Sequence, residues 1–375
     1  MAPYAALMKI CLSHSTALTW LSYRPNVRDV RYRARDVELA GFRLPPPDML
    51  SALRDHLAAS TECDPAELAS LELLVGDAAR RRVVSGASVH VCSHGLPAGA
   101  IIRIPCSFDG IDLYTCSPEL TFLQLAGERG DLVAGIETGL ALCSSYRVDR
   151  SRRAGVARRE APDAPLTSAR RINAFLDRVP GTRGVDAARR SLAYVRDGSR
   201  SPRESHLAMI YGLPIRLGGF GLGMPQLNPG VRTAVRRDAY GDARAQDRYP
   251  DLRFEHADSR GRTRIALLDY DGDAEHGRGG RKAGRDAARR NELEFLDVDA
   301  CFSMTSTQAG DFNEVCIMAE SLRRALGCRK QPRITGDANE PVNRRKIEEA
   351  RRRQFALWSR LIGIPNAKRA GRVEG

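Results

Sequence analysis

The sequence has no C-x-x-C pair, no apolar run near the ~20 residues a membrane-spanning helix needs, and no internal repeat. The nine cysteines are scattered and odd in number, so they read as reduced thiols, several of them core residues, in a cytoplasmic protein rather than as a disulfide framework. The run from Tyr4 to Leu21 is broken by Lys9, Ser13 and His14 and lacks a basic start and a small-residue cleavage site, which argues against a signal peptide. These absences predict no membrane partner.

What is present is length, core and positive charge. A chain of 375 residues with a 42% hydrophobic share has room for two domains with separate cores. The net charge of +13 points to a polyanionic partner, and residues 328–375 carry thirteen Lys/Arg against five Asp/Glu. A charge run is also what a solvated face looks like.

The predicted fold class is α/β: a smaller α/β N-terminal domain, then a domain with a central mixed sheet flanked by helices. The N-terminal domain is expected over 1–146. Ala87–Cys92, Ala100–Ile104 and Ile111–Thr115 read as strands, Asp64-Pro65-Ala66-Glu67 as a helix start, and Ser117-Pro118-Glu119 as the opening of another helix. An Arg-rich linker is expected over 147–166, a second domain over 167–328 and a basic tail with one helix over 329–375. In the second domain the patterns predict helices at 168–178, 185–196, 202–211, 281–294 and 311–326. Strands are predicted near 251–255, 264–270 and within 295–304, and a Gly/Pro-rich loop over 218–230. The final helix, about 343–362, places Phe355, Trp358, Leu361 and Ile362 at helical spacing.

The chemistry concentrates in this second region. Ile265-Ala266-Leu267-Leu268 runs into Asp269-Tyr270-Asp271, the pattern of a buried strand delivering carboxylates to a sheet edge. Asp251 precedes Asp269 by 18 residues. Two such carboxylates suit Mg²⁺, completed by substrate phosphate and water. Glu204, in the first turn of a helix, reaches toward the same place; His276 is a candidate general acid, base or phosphate ligand. Arg281, Lys282, Arg285, Arg289 and Arg290 make a basic helix with Asp286 embedded in it, suited to a nucleic-acid backbone. Aspartates at turns are equally at home as structural residues.

The ordered set Ser201-Pro202-Arg203-Glu204-Ser205, Asp251, Asp269-Tyr270-Asp271-Gly272, His276 and Asp286-Ala287-Ala288-Arg289-Arg290-Asn291 resembles the PD-(D/E)XK endonuclease superfamily, and within it the very-short-patch-repair-like group, over roughly residues 199–328. The resemblance implies a sheet with flanking helices, Mg²⁺ (or Mn²⁺) dependence and a DNA substrate. It marks Glu204, Asp251, Asp269, Asp271 and His276 as site residues, with Asp286 and Arg290 behind them. The chain departs from the family pattern twice: Asp269 stands where Glu is usual, and Asp271 occupies the position of the motif Lys. Residues Leu113 to Phe122 resemble a strand-to-helix segment of AbiEi-type antitoxins, which implies a protein partner or a site-selecting role for the N-terminal domain. Three functions follow as expectations: a metal-dependent DNA endonuclease, a DNA-binding regulator or antitoxin-like protein whose nuclease fold no longer cleaves, or a toxin–antitoxin or defence-system interaction protein that touches no DNA.

Three weaker patterns read as structural. His90-Val91-Cys92-Ser93-His94 lacks a fourth zinc ligand. Gly218-Gly219-Phe220-Gly221-Leu222-Gly223 lacks the strand before it and helix after it that a dinucleotide loop requires. Ser13-His14-Ser15 has no oriented base.

Overall fold

The computed structural model describes residues 8–23, 39–93, 95–104, 110–128, 130–152, 155–159, 165–232, 236–237, 243–244, 247–258, 260–272, 298–329 and 332–363. The chain is mixed α/β, as the sequence predicts, and divides into two units, Met1–Asp197 and Gly198–Gly375.

The first unit is built on a five-stranded mixed sheet. Its strands are β1 (Met8–Leu12), β2 (Leu71–Val75), β3 (Ala87–Val91), β4 (Ile101–Ile104) and β5 (Ile111–Cys116), in the order β3-β2-β1-β5-β4. The pairs β1/β5 and β2/β3 are parallel; β1/β2 and β4/β5 are antiparallel. Helix α1 (His14–Tyr23) follows β1 directly, and α2 (Pro47–Thr61) precedes β2. Helices α3 (Pro118–Glu128) and α4 (Leu132–Leu142) follow β5. Ser117 caps α3 through Oγ to the Leu120 N–H, and Asp131 caps α4 through the N–H groups of Val133 and Ala134. The Asp64-Pro65 start yields only a single 3₁₀ turn, Pro65–Leu68, because the chain enters β2 at Leu71.

The domain boundary lies later than the sequence suggests. Helices α5 (Ala169–Asp177) and α6 (Val185–Leu192) were expected in the second domain but belong to the first unit. Ile172, Phe175, Leu176, Val185 and Ala188 are part of one buried cluster with Ile10, Leu12 and Phe122. Backbone contact fixes the join: a Cβ on Gly127 of α3 would lie 2.7 Å from Gly184 Cα, at the start of α6. Nor is 147–166 a bare linker. Its described residues include the hairpin β6 (Tyr146–Val148) and β7 (Val156–Arg158). Next to it Arg159 is buried and donates to the carbonyls of Tyr146, Leu21 and Ser22, so it satisfies acceptors at the end of α1 that burial would otherwise orphan.

The second unit starts with α7 (Pro202–Gly212) and carries a four-stranded mixed sheet. The strands are β8 (Gln226–Leu227), β13 (Leu252–Ala257), β14 (Thr263–Asp271) and β15 (Ala300–Thr305), in the order β15-β14-β13-β8. Between β8 and β13 lie the two-residue strands β9 (Val231–Arg232), β10 (Arg236–Arg237), β11 (Ala243–Arg244) and β12 (Asp247–Arg248), which pair as β10/β11 and β12/β9. The pairs β8/β13 and β13/β14 are antiparallel, whereas β14/β15 is parallel. A parallel pair needs a crossover connection rather than a hairpin. The intervening chain holds His276 and the stretch expected as a basic helix, both outside the described residues.

Helix α7 is buried along its length: Leu207, Ala208, Met209, Ile210 and Tyr211 are all at most 1% exposed. The Gly-rich loop after it has a structural task. The N–H groups of Phe220, Leu222, Gly223 and Gly221 donate to Ile210, Tyr211, Gly212 and Leu213, which closes the carbonyl end of α7. Helices α8 (Ser306–Ala309), α9 (Phe312–Ala325) and α10 (Pro341–Leu361) complete the unit. The expected tail helix is therefore part of this unit's core: Leu357, Trp358 and Leu361 are buried, and Trp358 Nε1 donates to Ala309 O at 2.9 Å. Phe355 stays about half exposed beside Phe312 and Trp358, and Ile362 is partly buried. Gly218 allows α10 to approach: its φ is +87°, and a Cβ there would lie 2.6 Å from Arg353 O.

Among the described residues no helix is long and apolar enough to cross a membrane. Cys11, Cys63, Cys116 and Cys143 are buried free thiols.

Candidate functional site

Strand β14 is covered on both faces, with Ala266, Leu267 and Leu268 all at most 1% exposed. Such a strand reads as a continuous apolar run, and polarity returns only at its end. The β13/β14 register pairs Leu252 with Leu268. Asp251, one residue before β13, therefore sits beside Asp269. The two carboxylates are exchanged across the strands: Asp251 Oδ2 accepts from the Tyr270 N–H at 2.7 Å, and Asp269 Oδ1 accepts from the Asp251 N–H at 3.2 Å. Asp271 closes β14 opposite Thr305, and Asp269 faces Ser303 in the same parallel register.

Glu204 occupies the first turn of α7, as the sequence predicts. Ser201 Oγ accepts from the Glu204 N–H, and the Ser201 hydroxyl donates back to Glu204 Oε1. Glu204 Oε2 accepts from the Arg200 N–H at 2.8 Å and from Asn228 Nδ2 at 2.5 Å. Burial drives its carboxyl pKa upward, against the opposing pull of the hydrogen bonds from Arg200, Asn228 and Ser201. Both Glu204 oxygens are thus engaged in positioning the helix start.

Asn228, which sequence reasoning did not single out, links these groups. It has φ +47°. Its side-chain amide donates to Glu204 Oε2 and Gly198 O, and its backbone N–H donates to Asp251 O at 2.9 Å. Among the described residues its buried Oδ1 has no hydrogen-bond partner. The available signal was the Asn228-Pro229-Gly230 turn, since Asn tolerates the left-handed region better than most residues. Glu204, Asn228, Asp251 and Asp269 therefore form one connected polar neighbourhood at the end of the sheet. His276, Arg281, Lys282, Arg285, Asp286, Arg289 and Arg290 lie outside the described residues.

Hard oxygen donors are what Mg²⁺ takes, commonly one or two carboxylates with phosphate and water filling the rest. The Asp251/Asp269 pair fits that donor set. Among the described residues no group of three or more His, Cys, Asp or Glu side chains is arranged to hold a metal.

The first unit holds a separate polar cluster. His14, at the start of α1 with φ +47°, stacks on His90 of β3, with ring centroids 3.5 Å apart and 23° between planes. Glu72 of β2 lies 3.4 Å from His90 Nε2 and accepts from the Ser15 N–H and hydroxyl. Burial pushes the Glu72 carboxyl up, but the bonds from His90 and Ser15 outweigh it and hold the pKa at about 2. An ion lies in the plane of each imidazole that binds it, so two nearly parallel stacked rings cannot share one. Ser13 Oγ meets His14 Nδ1 at 3.1 Å, while Glu72 binds Ser15 and lies beside His90.

No family model, curated protein or solved structure matches this chain.

Proposed function

We propose that the second unit is a DNA-processing module that hydrolyses phosphodiester bonds with Mg²⁺ or Mn²⁺, in the manner of the PD-(D/E)XK endonucleases it resembles. The observation that carries this reading is the reciprocal Asp251/Asp269 pair at the end of a mixed sheet. The order of elements supports it: a helix bearing Glu204, strands β8, β13 and β14 in antiparallel succession, then a strand parallel to β14.

In this reading Asp251 and Asp269 hold the ion. A bound divalent ion would supply an activated water and neutralise phosphate charge. The chain's own residues set the geometry. Each aspartate is oriented by the other strand's N–H, so neither carboxylate has to be ordered when substrate arrives. Glu204 and Asn228 act at one remove, through the Asp251 backbone. Arg281, Lys282, Arg285, Arg289 and Arg290 would contact the DNA backbone, with His276 as proton donor or phosphate ligand. A protein partner for the first unit and a cytoplasmic location belong to the same proposal.

A second reading, a DNA-binding regulator that no longer cleaves, is favoured by two observations. Glu204 is fully engaged in the helix start, while Asp271 stands in place of the motif Lys. Plasmid nicking with Mg²⁺ or Mn²⁺, wild type against Asp251→Asn/Asp269→Asn, separates the two. Wild-type nicking that the double variant lacks supports the enzyme. DNA retention without nicking in any metal supports the regulator.

A further inference from the structure

Helix α10 buries one side and presents a cationic row on the other. Its 21 residues carry seven Lys or Arg and two Glu. The buried side is Asn343, Ala350, Gln354, Leu357, Trp358 and Leu361. At 100° per residue, Arg344, Arg345, Arg351 and Arg352 fall within one arc of roughly 120° on the far side, and all four are exposed. Arg353 is already neutralised by Glu349 at 2.5 Å and is not part of the row. Glu348 is the single acid within the arc.

From this we infer that the outer face of α10 is a docking surface for the phosphate backbone of duplex DNA. The proposal rests on the DNA reading of the same unit but concerns binding, not cleavage. Charge complementarity carries it, and three structural facts sharpen it. Arg344 and Arg351, like Arg345 and Arg352, are seven residues apart, a rise of about 10.5 Å. That spacing lets the row reach more than one phosphate along a strand. The Arg351 guanidinium is stacked 5.3 Å over the Phe312 ring, which limits its rotamers and lowers the entropy lost on phosphate contact. The helix itself is fixed by the Trp358–Ala309 bond and by the buried Leu357 and Leu361, so the row is held on a packed element.

The test is the salt dependence of binding to a mixed-sequence DNA duplex, without divalent metal, for the full chain. Four phosphate contacts contribute a slope of about −3.6 in log affinity against log salt. Arg344→Gln/Arg345→Gln/Arg351→Gln/Arg352→Gln should flatten the wild-type slope by about that amount. The fourfold Arg→Lys variant keeps the charge and should preserve the slope, which separates charge from folding. Glu348→Gln should tighten binding. A slope unchanged in the fourfold Gln variant overturns the inference, even if the protein nicks DNA. A flattened slope in a protein that never nicks sustains it while the cleavage reading falls. Failure of the wild type to bind DNA at low salt, or a slope change confined to duplex RNA, overturns it as well.

Discussion

Asp251 and Asp269 each hold the other's strand: one carboxylate receives the Tyr270 N–H, the other the Asp251 N–H. The pair is therefore both a splice between β13 and β14 and the candidate metal site. Asn retains a side-chain carbonyl acceptor but no charge. Asp251→Asn/Asp269→Asn should lose metal-dependent nicking to background and about 1 kcal/mol or less of stability. Asp251→Ala, which orphans the Tyr270 N–H, should cost about 1–3 kcal/mol in urea denaturation.

Glu204→Ala should destabilise the chain by about 2 kcal/mol, because it strips a helix start of its reciprocal bond and leaves the Arg200 and Asn228 donors unmet. The pH dependence has a defined sign. Burial raises this carboxyl above its usual 4.5, so folding disfavours the charged form. The wild-type advantage should be largest below about pH 4.5 and shrink as pH rises through the native pKa. Urea curves at a series of pH values read it directly.

Glu72 should show the opposite sign. Its native pKa of about 2 lies below the usual 4.5. Its contribution is present above pH 4.5 and fades as pH falls toward 2. Glu72→Gln should cost about 1–2 kcal/mol at pH 7 and almost nothing near pH 2, after allowance for partial exposure. Thermal denaturation of the two proteins across that range tests it.

Gly218→Ala should cost more than about 2 kcal/mol. The left-handed φ is unfavourable by about 1–2 kcal/mol for a residue with a Cβ, and the new atom would meet Arg353 O at 2.6 Å. Loss of α10 docking would show as a lower denaturation midpoint and increased exposure of Trp358.

Several elements could be read directly because their signals are local. The apolar run into Asp269 is β14; Ser201-Pro202 with Glu204 is the start of α7; Trp358 and Leu361 mark the packed face of α10. The failures share a cause, since each depends on what a segment meets in space. The run Tyr4–Leu21 shows its interruptions at Lys9, Ser13 and His14, but not that its described part is a strand and a helix that part at His14, where φ turns positive. α5 and α6 carry correct helical patterns, but nothing local says that Ile172 and Val185 join the core of Ile10. Arg159 sits in a stretch that composition marks as linker, and only its carbonyl partners make it a core residue. Asn228 is a turn residue by sequence and a bridge between Glu204 and the Asp251 backbone by structure.

The order in which the second unit's core is contributed bears on how it forms. Leu207 comes from α7, Leu268 from β14, Met304 from β15 beyond a crossover, and Leu361 from the end of α10. Few of these contacts are local, so loop-closure entropy must be met before most of the burial is gained, which slows folding. A ribosome-bound chain that has emerged only as far as β14 would present the Ala266-Leu267-Leu268 run without β15 beside it. That interval is when this protein should most need a chaperone, and when the strand that carries Asp269 is most open to pairing with the wrong partner.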